Sequence, residues 1–77
     1  MKVKKMREAI ILAMLKDGLK SRQELEMRLD IEKKITRNSL SFLKTSGLVN
    51  RYQIDGSEYY NITESGRHVV NNVFKRR

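Results

Sequence analysis

From Lys33 to Ile54 the chain carries five cations, Lys33, Lys34, Arg37, Lys44 and Arg51, and no carboxylate. Asn38 and Ser41 lie among them. Ammonium and guanidinium groups neutralise phosphate oxygens. Arginine can also grip the O6/N7 edge of guanine with two N–H donors, and an asparagine amide matches the N6/N7 edge of adenine. A small serine allows close approach. Residues of these types in one stretch point to a polyanion with readable edges, so to nucleic acid. At helical spacing, 33, 34, 37, 38, 41 and 44 share one side. A row of this kind is often no more than a solvated face; the missing acids are what set this one apart.

The charge of the whole chain favours the same partner. Seventeen Lys and Arg against nine Asp and Glu give +8 over 77 residues. The ends (Lys2, Lys4, Lys5, Arg7, Lys75, Arg76 and Arg77, less Glu8) hold 7 − 1 = +6 of it, and residues 9–74 hold 10 − 8 = +2. A field of this sign attracts nucleic acid first and anionic membrane second. The body is near balance, so the acid-free stretch is a local patch rather than a share of a uniform excess.

Other chemistries find no residues to carry them. There is no cysteine, hence no disulfide framework and no thiolate metal site, and His68 is the only histidine. No supported Ser/His/Asp set, paired-carboxylate signature or phosphate-cradling glycine loop is present. The chain is expected to be no enzyme and to need no cofactor, metal or small-molecule ligand. The longest apolar run, Ala9–Leu15, falls far below the ~20 residues of a membrane span. It follows a basic start, but Lys16-Asp17 cuts it short and no small-residue cleavage site follows, so it reads as a helix rather than a leader.

The elements that must position the basic row follow from periodicity. Val3–Lys16 reads as a helix with Ile10, Ala13 and Met14 on one face and Ile11, Leu12 and Leu15 on another. Ser21-Arg-Gln-Glu24 is a capping box that opens a short helix ending near Asp30. Glu32–Ser46 is amphipathic, with Thr36, Leu40 and Leu43 as its apolar stripe and Ile35 and Phe42 beside it. Gly47 stops it. The runs Leu48–Ile54 and Ser57–Thr63 flank Asp55-Gly56, the strongest short hairpin signal, because a type I′ turn needs positive φ at both central residues. That turn sets Tyr52 opposite Tyr59, Arg51 opposite Tyr60 and Val49 opposite Ile62, the last pair facing the core. Thr63 caps a closing helix with Val69, Val70, Val73 and Phe74 as its stripe. All four glycines, Gly66 included, are expected near segment ends, where tight backbone favours glycine.

The order is helix, helix, helix, hairpin, helix. The chain resembles the winged helix-turn-helix regulators of the MarR, ArsR and PadR types from about Met6 to Val73. Ile11-Leu12-x-x-Leu15 is similar to the first core helix of that group, and Ser21-Arg-Gln-Glu-Leu25 to its second-helix opening. The run Ile31…Leu40-x-x-Leu43-x-x-x-Gly47-Leu48-Val49 resembles the recognition helix entering the first wing strand. Tyr59-Tyr60-Asn61-Ile62-Thr63-Glu64-x-Gly66-Arg67 is similar to the second wing strand and the start of the closing helix. Thr36 departs from the pattern by standing where the group usually has an aliphatic residue, and Asp55 and Glu58 place acids near the wing tip.

The resemblance implies an α+β, mostly helical winged-helix domain over residues 1–77, with basic ends 2–7 and 75–77. It implies double-stranded DNA as partner, homodimerisation and transcriptional control. Arg37 and Asn38 are the expected base readers. Lys33, Lys34 and Lys44 are expected on phosphates, with Ser41 at close approach. Ser21 and Arg22 at the second helix start and Arg51 on the wing are further candidates for phosphate. Ile10, Met14, Val69, Val70, Val73 and Phe74 are the candidate dimer residues, although the closing helix could instead seal the monomer's own core. Two rivals stay open: an architectural protein coating DNA with little sequence preference, and a winged helix that docks on another protein. The expected location is the cytoplasm, on the nucleoid.

Overall fold

The computed structural model describes residues 3–73, with side chains from residue 7 onward. Four helices, α1 (Val3–Leu15), α2 (Arg22–Leu29), α3 (Lys33–Thr45) and α4 (Glu64–Val73), pack with three short strands, β1 (Lys20–Ser21), β2 (Val49–Ile54) and β3 (Ser57–Ile62). The fold is winged helix, as the element order implies, but its sheet has three strands rather than two. β1 pairs antiparallel with β3, Lys20 opposite Tyr60 and Ser21 opposite Tyr59, giving the order β1-β3-β2. A two-residue strand has no alternation to detect, so its residues read as loop in the sequence.

Ile11, Leu12 and Leu15 of α1 are fully buried and form the core with Leu25, Leu40, Leu43, Val49, Ile62 and Val70. Each aliphatic side chain of this kind contributes roughly 1.5–3 kcal/mol by leaving water. Ile10 on the other face of α1 remains 40% exposed, while Ala13 and Met14 pack half-buried against the core margin. On α3 the inner positions are Thr36, Ser39, Leu40 and Leu43. Phe42, expected beside the stripe, is 50% exposed, whereas Ser39 is buried on the inner side of the helix.

Local signals fix the boundaries. Ser21 Oγ accepts the Glu24 N–H at 3.1 Å, the forward half of the capping box. The Glu24 carboxylate does not complete it and instead pairs with Arg28 at 3.4 Å. Asp55 and Gly56 have φ of 51° and 80°, the two positive values a type I′ turn requires, and every expected hairpin pair is in register. Thr63 ties three elements: its Oγ1 donates to the Gly47 carbonyl at 2.8 Å and accepts from Gly66 N–H at 3.0 Å, while its own N–H donates to the Leu48 carbonyl. Gly66 lies near a segment end, buried inside the first turn of α4. A Cβ there would run into the Leu48 carbonyl oxygen, so close backbone approach is the reason for this glycine.

Candidate nucleic-acid interface

Thirteen residues make α3 about 20 Å long. Its buried stripe turns Lys33, Lys34, Arg37, Asn38, Ser41 and Lys44 outward, and all six are exposed. No carboxylate lies on this helix, and among the described residues Lys33, Lys34 and Lys44 form no ion pair. A helix of this diameter fits the ~12 Å major groove of B-DNA with its polar side inward.

Between α3 and the hairpin runs an open groove of about 360 Å³, lined by Arg37, Ser41 and Lys44 on one side and Arg22, Arg51 and Tyr60 on the other. Four cations therefore converge from three elements. The sequence spacing of Arg37 and Arg51 did not place them in one groove with Arg22; the fold does.

The acid-free stretch is not acid-free in space. Glu26, with a side chain only 7% exposed, lies 3.4 Å from Arg22 Nε and 3.7 Å from Arg37 Nε. Glu58 reaches Arg22 Nη1 through Oε1 at 3.3 Å and Arg51 Nη1 through Oε2 at 3.8 Å. The result is an alternating chain, Arg37–Glu26–Arg22–Glu58–Arg51, that crosses from α3 through α2 and β3 to β2. Sequence reasoning missed it because its carboxylates come from outside the basic stretch. Tyr60 O–H donates to Glu58 Oε1 at 3.0 Å. Burial of the ring pushes the Tyr60 phenol above its ordinary value, and the hydrogen bond to Glu58 and its negative charge push the same way.

These contacts alter the standing of several expected residues. Arg22 is not a free cation at a helix start: it is 29% exposed and paired with two carboxylates. Ser21 spends its hydroxyl oxygen on the α2 cap and its backbone on the pairing of β1 with β3. Arg51 lies beside Tyr60 as the register requires and is 46% exposed. Asp55 sits at the turn, whereas Glu58, the other acid near the wing tip, pairs with Arg22 and Arg51.

On the opposite side, α1 and α4 pack together, linked at their margin by Lys16 Nζ and Asn71 Oδ1 at 3.5 Å. Val70, expected among the dimer residues, is 1% exposed and belongs to the monomer's own core. Helical spacing explains the correction: once Val70 faces inward, its neighbour Val69 and Val73, three residues on, fall to the rim, where they are 36% and 38% exposed. Met14 is half-buried against the core, and Phe74 and the basic residues 75–77 lie outside the described residues.

Three packed helices, a cationic helix presented outward and a hairpin beside it define the winged helix-turn-helix class of DNA-binding proteins. The chain belongs to the HxlR-like helix-turn-helix family, whose sequence profile matches residues 3–75, and it is a sequence-specific DNA-binding regulator rather than an enzyme. Among solved structures it is similar to HlyU from Vibrio cholerae N16961 (24% identity, TM-score 0.80, covering 92% of this chain and 82% of that one). It is similar also to the transcriptional regulator HlyU from Vibrio vulnificus CMCP6 (25% identity, TM-score 0.78, 88% and 72%). A third is the transcriptional regulator BldR from Sulfolobus solfataricus (22% identity, TM-score 0.81), where the chain is covered to 91% and spans 55% of its counterpart. No curated protein matches the chain in sequence. No helix among the described residues is long and apolar enough to cross a membrane.

Proposed function

We propose that the chain controls transcription as a homodimer that reads duplex DNA with α3, from the cytoplasm and on the nucleoid. The observation that carries this reading is the outward row on α3, in which Arg37, Asn38 and Ser41 are flanked by Lys33, Lys34 and Lys44 without a carboxylate on the helix. Arg37 and Asn38 read base edges, the lysines bind phosphates, and Arg51 lies along the backbone beside the groove. Arg22 and Ser21 support the wing and the α2 cap. The reading needs no cofactor, metal or small-molecule ligand.

Dimerisation rests on Ile10, Val69 and Val73, aliphatic side chains left exposed on two packed helices, with Met14 at their margin and Phe74 next along the chain. A two-fold dimer places its recognition helices in half-sites about one helical turn, ~34 Å, apart. Selection of bound duplexes from a random pool tests the proposal: enrichment of a sequence with two-fold symmetry is expected. Retention of DNA without enrichment would favour the architectural reading, which the +6 carried by the ends also suits.

A further inference from the structure

A carboxylate at the centre of a DNA-binding face repels the polyanion, so Glu58 calls for a physical reason. Its surroundings supply one. Beyond Val49 every residue of β2 is exposed, with Tyr52 at 43% and Ile54 at 45%. On the β2 side the outer half of the hairpin thus has no apolar anchor, while β3 is held by buried Tyr60 and by the pairing of Tyr59 with Ser21 of β1. Glu58 adds a side-chain tie to α2: it receives Arg22 at 3.3 Å and, within the hairpin, the Tyr60 hydroxyl at 3.0 Å on one oxygen and faces Arg51 at 3.8 Å on the other. At 22% exposure the Glu58 side chain is partly shielded from water, so these charge-assisted contacts outweigh an ordinary surface pair.

We propose that Glu58 is a positioning residue for sequence recognition: it fixes the wing beside α3 through Arg22 and keeps Arg51 from indiscriminate capture of phosphates. The proposal rests on the DNA-binding reading above and adds to it. With Glu58 in place, Arg51 meets the backbone only where α3 has already docked in register. With Glu58 neutral, Arg51 becomes free for any phosphate within reach, Arg22 keeps Glu26 alone, and the wing loses its side-chain tie to α2. Affinity for arbitrary duplex rises while discrimination falls. A purely structural role for Glu58 would change stability and leave both quantities alone.

The test compares wild type, Glu58→Gln and Arg22→Gln in titrations of a selected duplex and its scrambled counterpart at several salt concentrations, after thermal melts establish that each variant folds. Releasing Arg51 should steepen the log–log salt slope of Glu58→Gln by ~0.9 per subunit, one counterion equivalent for the phosphate gained. Its binding to scrambled duplex should tighten, and its selected-to-scrambled ratio should fall by roughly three- to tenfold, the scale of a partly shielded charged hydrogen bond. Arg22→Gln cuts the tether while keeping the carboxylate, so it should lose discrimination without steepening the slope. It carries the test alone if Glu58→Gln does not fold. A folded Glu58→Gln with wild-type slope and ratio overturns the proposal, as does an Arg22→Gln variant that discriminates like wild type. Failure of wild type itself to retain any duplex would overturn the DNA-binding reading and this proposal with it, a result distinct from either.

Discussion

Gly66→Ala sets two well-measured effects against each other, and the structure decides the sign. Alanine is favoured over glycine in a helix by up to ~1 kcal/mol. Against this, the new Cβ would overlap the Leu48 carbonyl oxygen and stand 2.7 Å from Ile62 Cγ1 and 3.2 Å from Leu48 C. The Leu48 carbonyl cannot easily yield, because it accepts the Thr63 N–H at 3.0 Å, and Leu48 N–H donates to Leu43 O at 2.9 Å. Overpacking against fixed neighbours costs ~1–3 kcal/mol, and a backbone clash belongs at the upper end. The net expectation is about 2 kcal/mol of destabilisation. For a domain of this size each kcal/mol moves Tm by ~4–8 °C, so the melt should fall by ~8–16 °C. Circular dichroism during thermal and urea unfolding measures it, with exposed Asn72→Ala in the same helix as the control, expected within ~0.5 kcal/mol of wild type. A Gly66→Ala melt at or above the wild-type temperature would refute the close-approach argument.

Three further outcomes follow from other contacts. Thr36 is fully buried and its Oγ1 has no hydrogen-bond partner, so Thr36→Val removes an unpaired polar atom and should stabilise by ~1–2 kcal/mol in urea unfolding; a loss of stability would mean the hydroxyl is satisfied. Val69→Asp with Val73→Asp should give a folded monomer by light scattering and Val70→Asp an unfolded chain, whereas a wild type already monomeric at working concentration removes the dimer claim. Tyr60 holds its proton more tightly folded than unfolded; the resulting stability is fully present below the unfolded value of ~10 and is lost as pH rises through the folded value. Glu58→Gln should bring the Tyr60 midpoint down in an NMR titration, and an unmoved midpoint would mean the contact contributes nothing.

Two local signals in the sequence were sufficient. The Asp55-Gly56 turn specified all six cross-strand pairs, since a two-residue loop leaves one register. The outward row of α3 was legible because a buried stripe at helical spacing leaves only one side for charges. Four features were not legible. β1 is two residues long and takes its conformation from β3, so no periodicity marks it. Val70 and Val73 look alike in a stripe, and only the packing of α4 on α1 decides which is core and which is rim. The charge chain depends on Glu26 and Glu58, distant in sequence from Arg37 and brought to it by tertiary structure. Gly66 shows the same limit: its conformation is ordinary helix, and the reason for it is a neighbour met only in the fold.

The central claim is that Arg37 and Asn38 on α3 read base edges. The most direct test is the ratio of affinities for a selected duplex and its scrambled counterpart, measured at one fixed salt concentration for wild type, Arg37→Ala and Asn38→Ala. Loss of a base-edge contact costs ~1–3 kcal/mol at the preferred site and little elsewhere, so each variant should lower the ratio by roughly 5- to 150-fold and relax preference at one position of the site. Either variant binding both duplexes with the wild-type ratio would contradict the claim for that residue, and both doing so would leave α3 a phosphate-binding helix that does not read sequence.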